Sequence, residues 1–240
     1  MDSERTLEQT NVEDVVRQAA DNAAETLDPG DTRLGFLKKA GLAGGAVVGG
    51  GALIGALTPA GAIAKGKGRP PASFGKGDVG ILNFALTLEY LEAAFYNEAT
   101  ANQSKSKFIK DKQTQVFLKT VTVDENAHVA FLKKALGSKA IAAPKVDFGT
   151  TTSSEASFIK TAVALENTGV HAYSGQALNI ASPAYIAAAL SIWSIEARHA
   201  SVAGLLLTGK PSGITPDGPF DTPFTAAEVL SAVKKTGFLQ

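Results

Sequence analysis

The chain has no cysteine. Disulfides, thiolate zinc sites and cysteine-ligated iron–sulfur clusters are therefore excluded. Its single methionine is Met1, so a chain processed behind its N-terminal region would hold no sulfur, which suits a protein that meets oxidants. Histidine and tryptophan are scarce too, with 3 and 1 in 240 residues. Net charge is also missing: 23 basic side chains oppose 23 acidic ones, and the lysines are scattered rather than clustered. That pattern leaves no nucleic-acid footprint. Nothing alternates in the manner of a strand. No phosphate-cradling glycine loop, nucleophilic triad or base-stacking surface is present either. What is present is apolar residue, 45% of the chain against 19% charged, enough to bury a sizeable core in one main domain with appendages.

The N-terminal third divides by composition. Residues 1–31 form an acidic tail whose many carboxylates face only Arg5 and Arg17. In residues 32–64, Arg33, Lys38 and Lys39 precede 25 uncharged residues, and Ala62-Ile63-Ala64 supplies the small side chains of an A-x-A cleavage site. This layout predicts an export signal cut after Ala64 and a periplasmic or cell-envelope destination. Left uncut, it would be the chain's only attachment to a membrane. Its glycines and Pro59 disfavour a spanning helix. The stretch TRLGFLK is similar to the twin-arginine export motif, with Leu34 where that motif has its second arginine. Residues 65–77, rich in Lys, Gly and Pro, read as a linker.

Beyond the linker, helical periodicity runs through 78–102, 111–136, 154–180 and 182–209. Asp78 is expected to cap the first helix, Gly137 to close the second, and Pro183 to sit in the first turn of the fourth. Residues 137–153 lack helical pattern. Extended, they reach ~55 Å, further than the ~39 Å of a helix of about 26 residues. The fold expected is all-α: a four-helix bundle over 78–209 with a long crossover between helices 2 and 3. A Pro-rich tail over 210–240 then carries a short C-terminal helix at 225–235.

Each long helix places one glutamate inside its apolar stripe. Leu82, Ala85, Leu86, Ala93 and Tyr96 stand three, four and seven positions from Glu89. Leu118, Val121, Val129 and Leu132 frame Glu125 in the same way. So do Ile159, Ala162, Val170 and Tyr173 for Glu166, and Ala189, Ile192, Trp193 and Ala200 for Glu196. All four carboxylates fall near mid-helix, at one level of a bundle. Glu125 and Glu196 each have a histidine three residues on, His128 and His199, on the same face. Leu-Glu89-x6-Tyr96 is echoed by Leu-Glu166-x6-Tyr173, so the chain reads as two related helix pairs.

Such an interior needs countercharge. A bare buried carboxylate costs many kcal/mol, and no lysine or arginine shares these stripes. Four carboxylates with two neutral imidazoles are balanced by two divalent cations, and the donor set suits iron or manganese. Two iron ions are expected, with two manganese ions as the alternative. Trp193 is expected to pack above the site. Asp124 is either an acceptor for His128 or solvated. Glu92 is read as a half-exposed neighbour at the stripe's edge, and His171 as a surface or interface histidine.

LNFALTLEYLEAAFYNEA, DENAHVAFLKKAL, ALENTGVHAY and IEARHASVAG resemble the four helices of the ferritin-like superfamily, most closely its exported bacterial branch, grouped with desiccation-related and stress-response proteins. The resemblance covers about 78–207. It implies a ferritin-like fold in which Glu89 and Glu166 are terminal ligands, Glu125 and Glu196 bridge the metals, and His128 and His199 bind one metal each. Tyr96 and Tyr173 would support the ligands from behind. The activity implied is oxidation driven by dioxygen or hydrogen peroxide, as in ferroxidases and peroxidases. A structural or desiccation-protective bundle is the alternative, and an iron-storage cage or smaller homo-oligomer is a further possibility.

Overall fold

The computed structural model describes residues 66–240. The acidic tail, the signal segment and the cleavage point after Ala64 lie outside the described residues. The four expected helices form as α1 (Gly77–Ser106), α2 (Lys112–Leu136), α3 (Glu155–Gln176) and α4 (Pro183–Thr208), followed by the short α5 (Ala226–Thr236). Among the described residues, no helix is long and apolar enough to cross a membrane.

Local chemistry sets the helix ends. Asp111 caps α2 by accepting from the Thr114 N–H at 2.8 Å, and Ser154 caps α3 by accepting from Ser157. At α5, Thr225 and Glu228 satisfy each other's backbone as a capping box. Asp78 does not cap α1; that position falls to Lys76. Its carboxylate instead accepts from the Ala181 and Ser182 N–H groups, each at 2.9 Å, satisfying two donors at the entrance to α4. The third helix also stops earlier than its periodicity suggests. It tightens into a 3-10 turn over Ala177–Asn179, where the buried Asn179 accepts from Gly66 N–H and donates to the Lys67 carbonyl. The stretch before α1, read as a linker, is thus bonded to the bundle. Phe74 also packs edge-on against Phe84.

Hydrogen bonds at the helix ends give the topology. Asn83, near the start of α1, bonds to Lys139 and Ile141 just after α2, so α1 and α2 are antiparallel. Glu155, the first residue of α3, accepts from the backbone N–H groups of Lys110 and Asp111 at the start of α2. The connection 137–153 therefore runs the length of the bundle, as its reach allows. Asp78 holds the start of α4 beside the start of α1. Hence α1 runs with α4 and α2 with α3. The main packing pairs are α1–α2 and α3–α4, while the α1–α3 and α2–α4 seams are thinner.

The C-terminal tail returns across α3. Ala226, Val229 and Val233 of α5 are buried in the main core, and Leu239 pairs with Val146 of the crossover, the one isolated β-bridge among the described residues. Close approach needs glycine here. A Cβ on Gly175 would lie 1.8 Å from the Phe224 carbonyl oxygen.

Candidate metal centre

Two apolar clusters fill the bundle, and each helix passes from one to the other at its glutamate. Leu82, Leu86, Leu132, Tyr173 and Ile192 belong to one cluster. Tyr96, Val121, Phe158, Ala162 and Ala203 belong to the other, an aromatic core in which Phe95 stacks on Phe158 at 5.5 Å. Glu89 lies between Leu86 and Tyr96, Glu125 between Val121 and Leu132, Glu166 between Ala162 and Tyr173, and Glu196 between Ile192 and Ala203. Four carboxylates therefore meet in one layer with apolar packing above and below, and all four have no exposed surface.

The histidines close this layer. His128 Nδ1 lies 3.1 Å from Glu196 Oε1, 3.2 Å from Glu89 Oε2 and 3.4 Å from Glu125 Oε2. His199 Nδ1 lies 3.0 Å from Glu125 Oε1 and 3.3 Å from Glu166 Oε2. The donors form two groups, Glu89–Glu125–His128–Glu196 and Glu125–Glu166–Glu196–His199, each with ligand atoms within 4.8 Å of one another. Glu125 and Glu196 belong to both. Either group could hold a cation, and together they could hold two that share those carboxylates.

The donors are short of partners. Both oxygens of Glu125 and of Glu196, Glu166 Oε2 and His199 Nδ1 are buried without a hydrogen bond, although a buried polar atom left unpaired costs about 1–3 kcal/mol, and a charged one more. No lysine or arginine is buried among the described residues. Without metal, protons must carry the compensation. Burial, reinforced by neighbouring carboxylates, pushes Glu196 and Glu92 far above the ordinary carboxylate range. Burial likewise pushes Glu125 up to about 7, against the pull of His128 and His199. For His199, burial works downward but is overcome by Asp124, Glu125 and Glu166, which carry it up to about 12. His128 is raised further by Glu89, Glu125 and Glu196. Glu89 is lowered, because its burial is outweighed by His128, Glu125 and Tyr173 together.

Tyr96 donates to Glu166 Oε1 and Tyr173 donates to Glu89 Oε1, each phenol reaching across the bundle from the other helix pair. Burial and the carboxylates raise both phenols, so they stay protonated and remain donors. Trp193 packs beside the aliphatic cluster, with its indole nitrogen buried and unpaired. Asp124 supports a histidine, but His199 rather than His128: its Oδ2 lies 3.1 Å from His199 Nε2. One residue before Glu125, it points about 100° away around α2, toward α4 instead of back along its own helix.

Two residues differ from expectation more sharply. Glu92 is not half-exposed; it is 2% accessible and belongs to the carboxylate layer. A Cβ on Gly169 would lie 2.9 Å from Glu196 Oε2 and 3.3 Å from Glu92 Oε1, so this glycine leaves room for both carboxylates. The signal was in the spacing. All four helices carry a pair three apart at the site, namely Glu89/Glu92, Glu125/His128, Glu166/Gly169 and Glu196/His199. His171 is not a surface residue either. It is buried under the C-terminal tail, stacked on Phe224 at 4.4 Å with Nε2 3.7 Å from Asp217 Oδ2.

No curated protein is similar enough to this chain to count as a relative. The family model for the ferritin-like domain matches residues 77–209, which takes in all four long helices and every residue of the carboxylate layer. With a four-helix bundle, a full-length crossover and a buried Glu/His layer at its centre, the chain belongs to the ferritin-like family.

Proposed function

We propose that this chain is an exported protein that holds two divalent ions, iron or manganese, and uses them to reduce dioxygen or hydrogen peroxide. Glu89 and His128 would hold one ion and Glu166 and His199 the other, with Glu125 and Glu196, which belong to both donor groups, available to either. One observation carries this reading: carboxylate oxygens from three helices are buried with no hydrogen bond and no nearby lysine or arginine. Two dications would balance four carboxylates beside two neutral imidazoles.

When bound, two such ions supply one electron each and Lewis acidity toward an oxygen species. The chain's own residues prepare the place. Asp124 accepts the Nε2–H of His199, so Nδ1 is the nitrogen that would face a metal once its own proton is displaced. Tyr96 and Tyr173 fix the rotation of Glu166 and Glu89. Glu92 holds a proton beside Glu196, because its own burial and the surrounding carboxylates oppose its ionisation. The apolar clusters on either side exclude bulk water from the layer. Export is supported by the basic-then-apolar layout of 32–64, and contact with oxidants by the near absence of sulfur.

Elemental analysis of the purified protein, with Glu125→Ala and His199→Ala beside it, tests the ligand assignment. Metal content is expected to fall in each variant, and unchanged occupancy in both would refute it. Peroxide or dioxygen consumption by the metal-loaded protein then separates a redox centre from a structural one. A loaded protein that consumes neither would leave the metals as neutralising ions only.

A further inference from the structure

The α2–α4 seam opens into a groove of about 560 Å³, within the ~300–1,000 Å³ range of small-molecule sites. Its walls are largely aliphatic, with Val116, Val121, Ile195, Val202 and Leu205 beside Phe117. Three of these stay open to solvent despite being apolar: Val116 at 66%, Val202 at 44% and Leu205 at 42% exposure. The lining runs from Lys112 to Asp124 on α2 and from Ile195 to Leu206 on α4, a length of ~17 Å at the helical rise. Because α2 and α4 are antiparallel, Arg198 and Asp124 share the end nearest the carboxylate layer, and Lys112 and Leu206 share the far end.

A cation stands at each end of the groove, Lys112 at the far end and Arg198, the one that is held by a hydrogen bond, at the inner end. Arg198 Nη1 donates to the Ser194 carbonyl at 2.9 Å and approaches its Oγ at 3.4 Å, which holds the guanidinium in place. Its other N–H groups have no partner among the described residues, and no carboxylate there lies within ion-pair distance of Arg198 or Lys112. The one acid in the lining, Asp124, is occupied by His199 Nε2 at 3.1 Å. The groove thus offers a long aliphatic trough with an unpaired planar cation at its inner end. An extended chain advances about 1.2 Å per bond, so ~17 Å takes up roughly fourteen bonds.

We propose that this groove binds one linear aliphatic carboxylate, with its chain along the α2–α4 seam and its head on Arg198. Concavity favours a small molecule over a flat protein face, and a guanidinium fork matches a carboxylate head. Binding does not depend on the metal centre, although the ligand would lie against the outer edge of His199.

Titration calorimetry of the full chain with tetradecanoate, its methyl ester and octanoate tests this, with and without metal. Saturable binding of one tetradecanoate per chain is expected, with the ester about tenfold weaker, the low end for a hydrogen bond to a charged group. Arg198→Gln should weaken the acid by a similar factor, leave the ester unchanged and leave metal content intact. Val202→Asp should weaken both ligands, with circular dichroism checking that it folds. The proposal fails if binding does not saturate, if acid and ester bind alike, or if Arg198→Gln has no effect. It also fails if light scattering shows a dimer that tetradecanoate cannot compete with, since a second copy would then cover the groove.

Discussion

The two thin seams of the bundle have opposite fates. Between α1 and α3, helix α5 lays Val233 over Leu91, Glu92, Leu165 and Gly169, leaving a void of only about 10 Å³, at the lower limit for one water. Between α2 and α4 nothing among the described residues covers the groove, and its inner wall includes His199 and Asp124. The same layer of carboxylates is therefore sealed behind Glu92 and approachable behind His199. This asymmetry teaches more than either side alone. The sealed seam raises the charge problem by burying a fifth carboxylate, while the open seam leaves His199 and Asp124 at the wall of a groove.

The largest expected effect comes from unsealing the closed side. Gly175→Ala would set a Cβ 1.8 Å from the Phe224 carbonyl oxygen, so the tail must move away from α3. A loss of about 3 kcal/mol is expected, the upper end for overpacking, together with faster hydrogen exchange across α5. Unchanged exchange there would show that the tail is no seal. Gly169→Ala acts at the layer itself, against Glu196 and Glu92. It should cost about 2 kcal/mol and reduce metal content, read by melting and elemental analysis. Asp124→Asn probes the open side. It removes the carboxylate behind His199 and should weaken metal binding by about 10- to 100-fold, read by metal titration.

Much of this was legible in the sequence, and what was not shares one cause. The helices and their glutamates showed because a 3.6-residue period marks the face turned inward, and an acid within it is conspicuous: Glu89 between Leu86 and Tyr96 could not be misplaced. Glu92 stood at the edge of that stripe. Only α5, arriving from about 140 residues downstream, turns the edge into interior. His171 was misjudged for the same reason, since Phe224 and Asp217 of the returning tail cover it. Asp78 fits the local rule for a cap, while its two partners lie about a hundred residues on, just before α4. Periodicity reports which face a helix buries against its neighbours in the bundle; it cannot report a cover added from outside.

The sealed carboxylates also set a pH dependence with a definite sign. In the metal-free protein Glu125 holds its proton up to about 7, and Glu196 and Glu92 hold theirs beyond the ordinary range. An unfolded chain releases those protons near pH 4.5, so the folded state binds more protons above that point and stability falls as pH rises through about 7. The raised histidines act in the same direction. Glu89 opposes them, but its lowered value contributes stability that is lost only as pH falls below its ordinary range. Chelator-treated protein should therefore melt lower at about pH 8 than at about pH 5, and added metal, which displaces these protons, should stabilise more at the higher pH. Glu92→Gln should flatten part of the metal-free slope. A melting temperature that rises with pH in chelator would mean that the layer carries some other countercharge.

The smallest effect is expected on the open side. Val116 is 66% exposed at the groove wall, and an exposed substitution away from caps and buried partners changes stability by about 0.5 kcal/mol or less. Val116→Ser should leave melting temperature and metal content unaltered, whereas Val233→Ser, the equivalent change on α5, removes a buried side chain from over Glu92 and should cost at least about 1 kcal/mol. The pair is informative because the two residues are chemically identical and each lies over one thin seam. If both variants lose stability alike, the groove is covered in solution, as by a second copy of this chain. If neither does, α5 is not packed as tightly as the burial of Val229 and Val233 implies, and the contrast between the seams disappears.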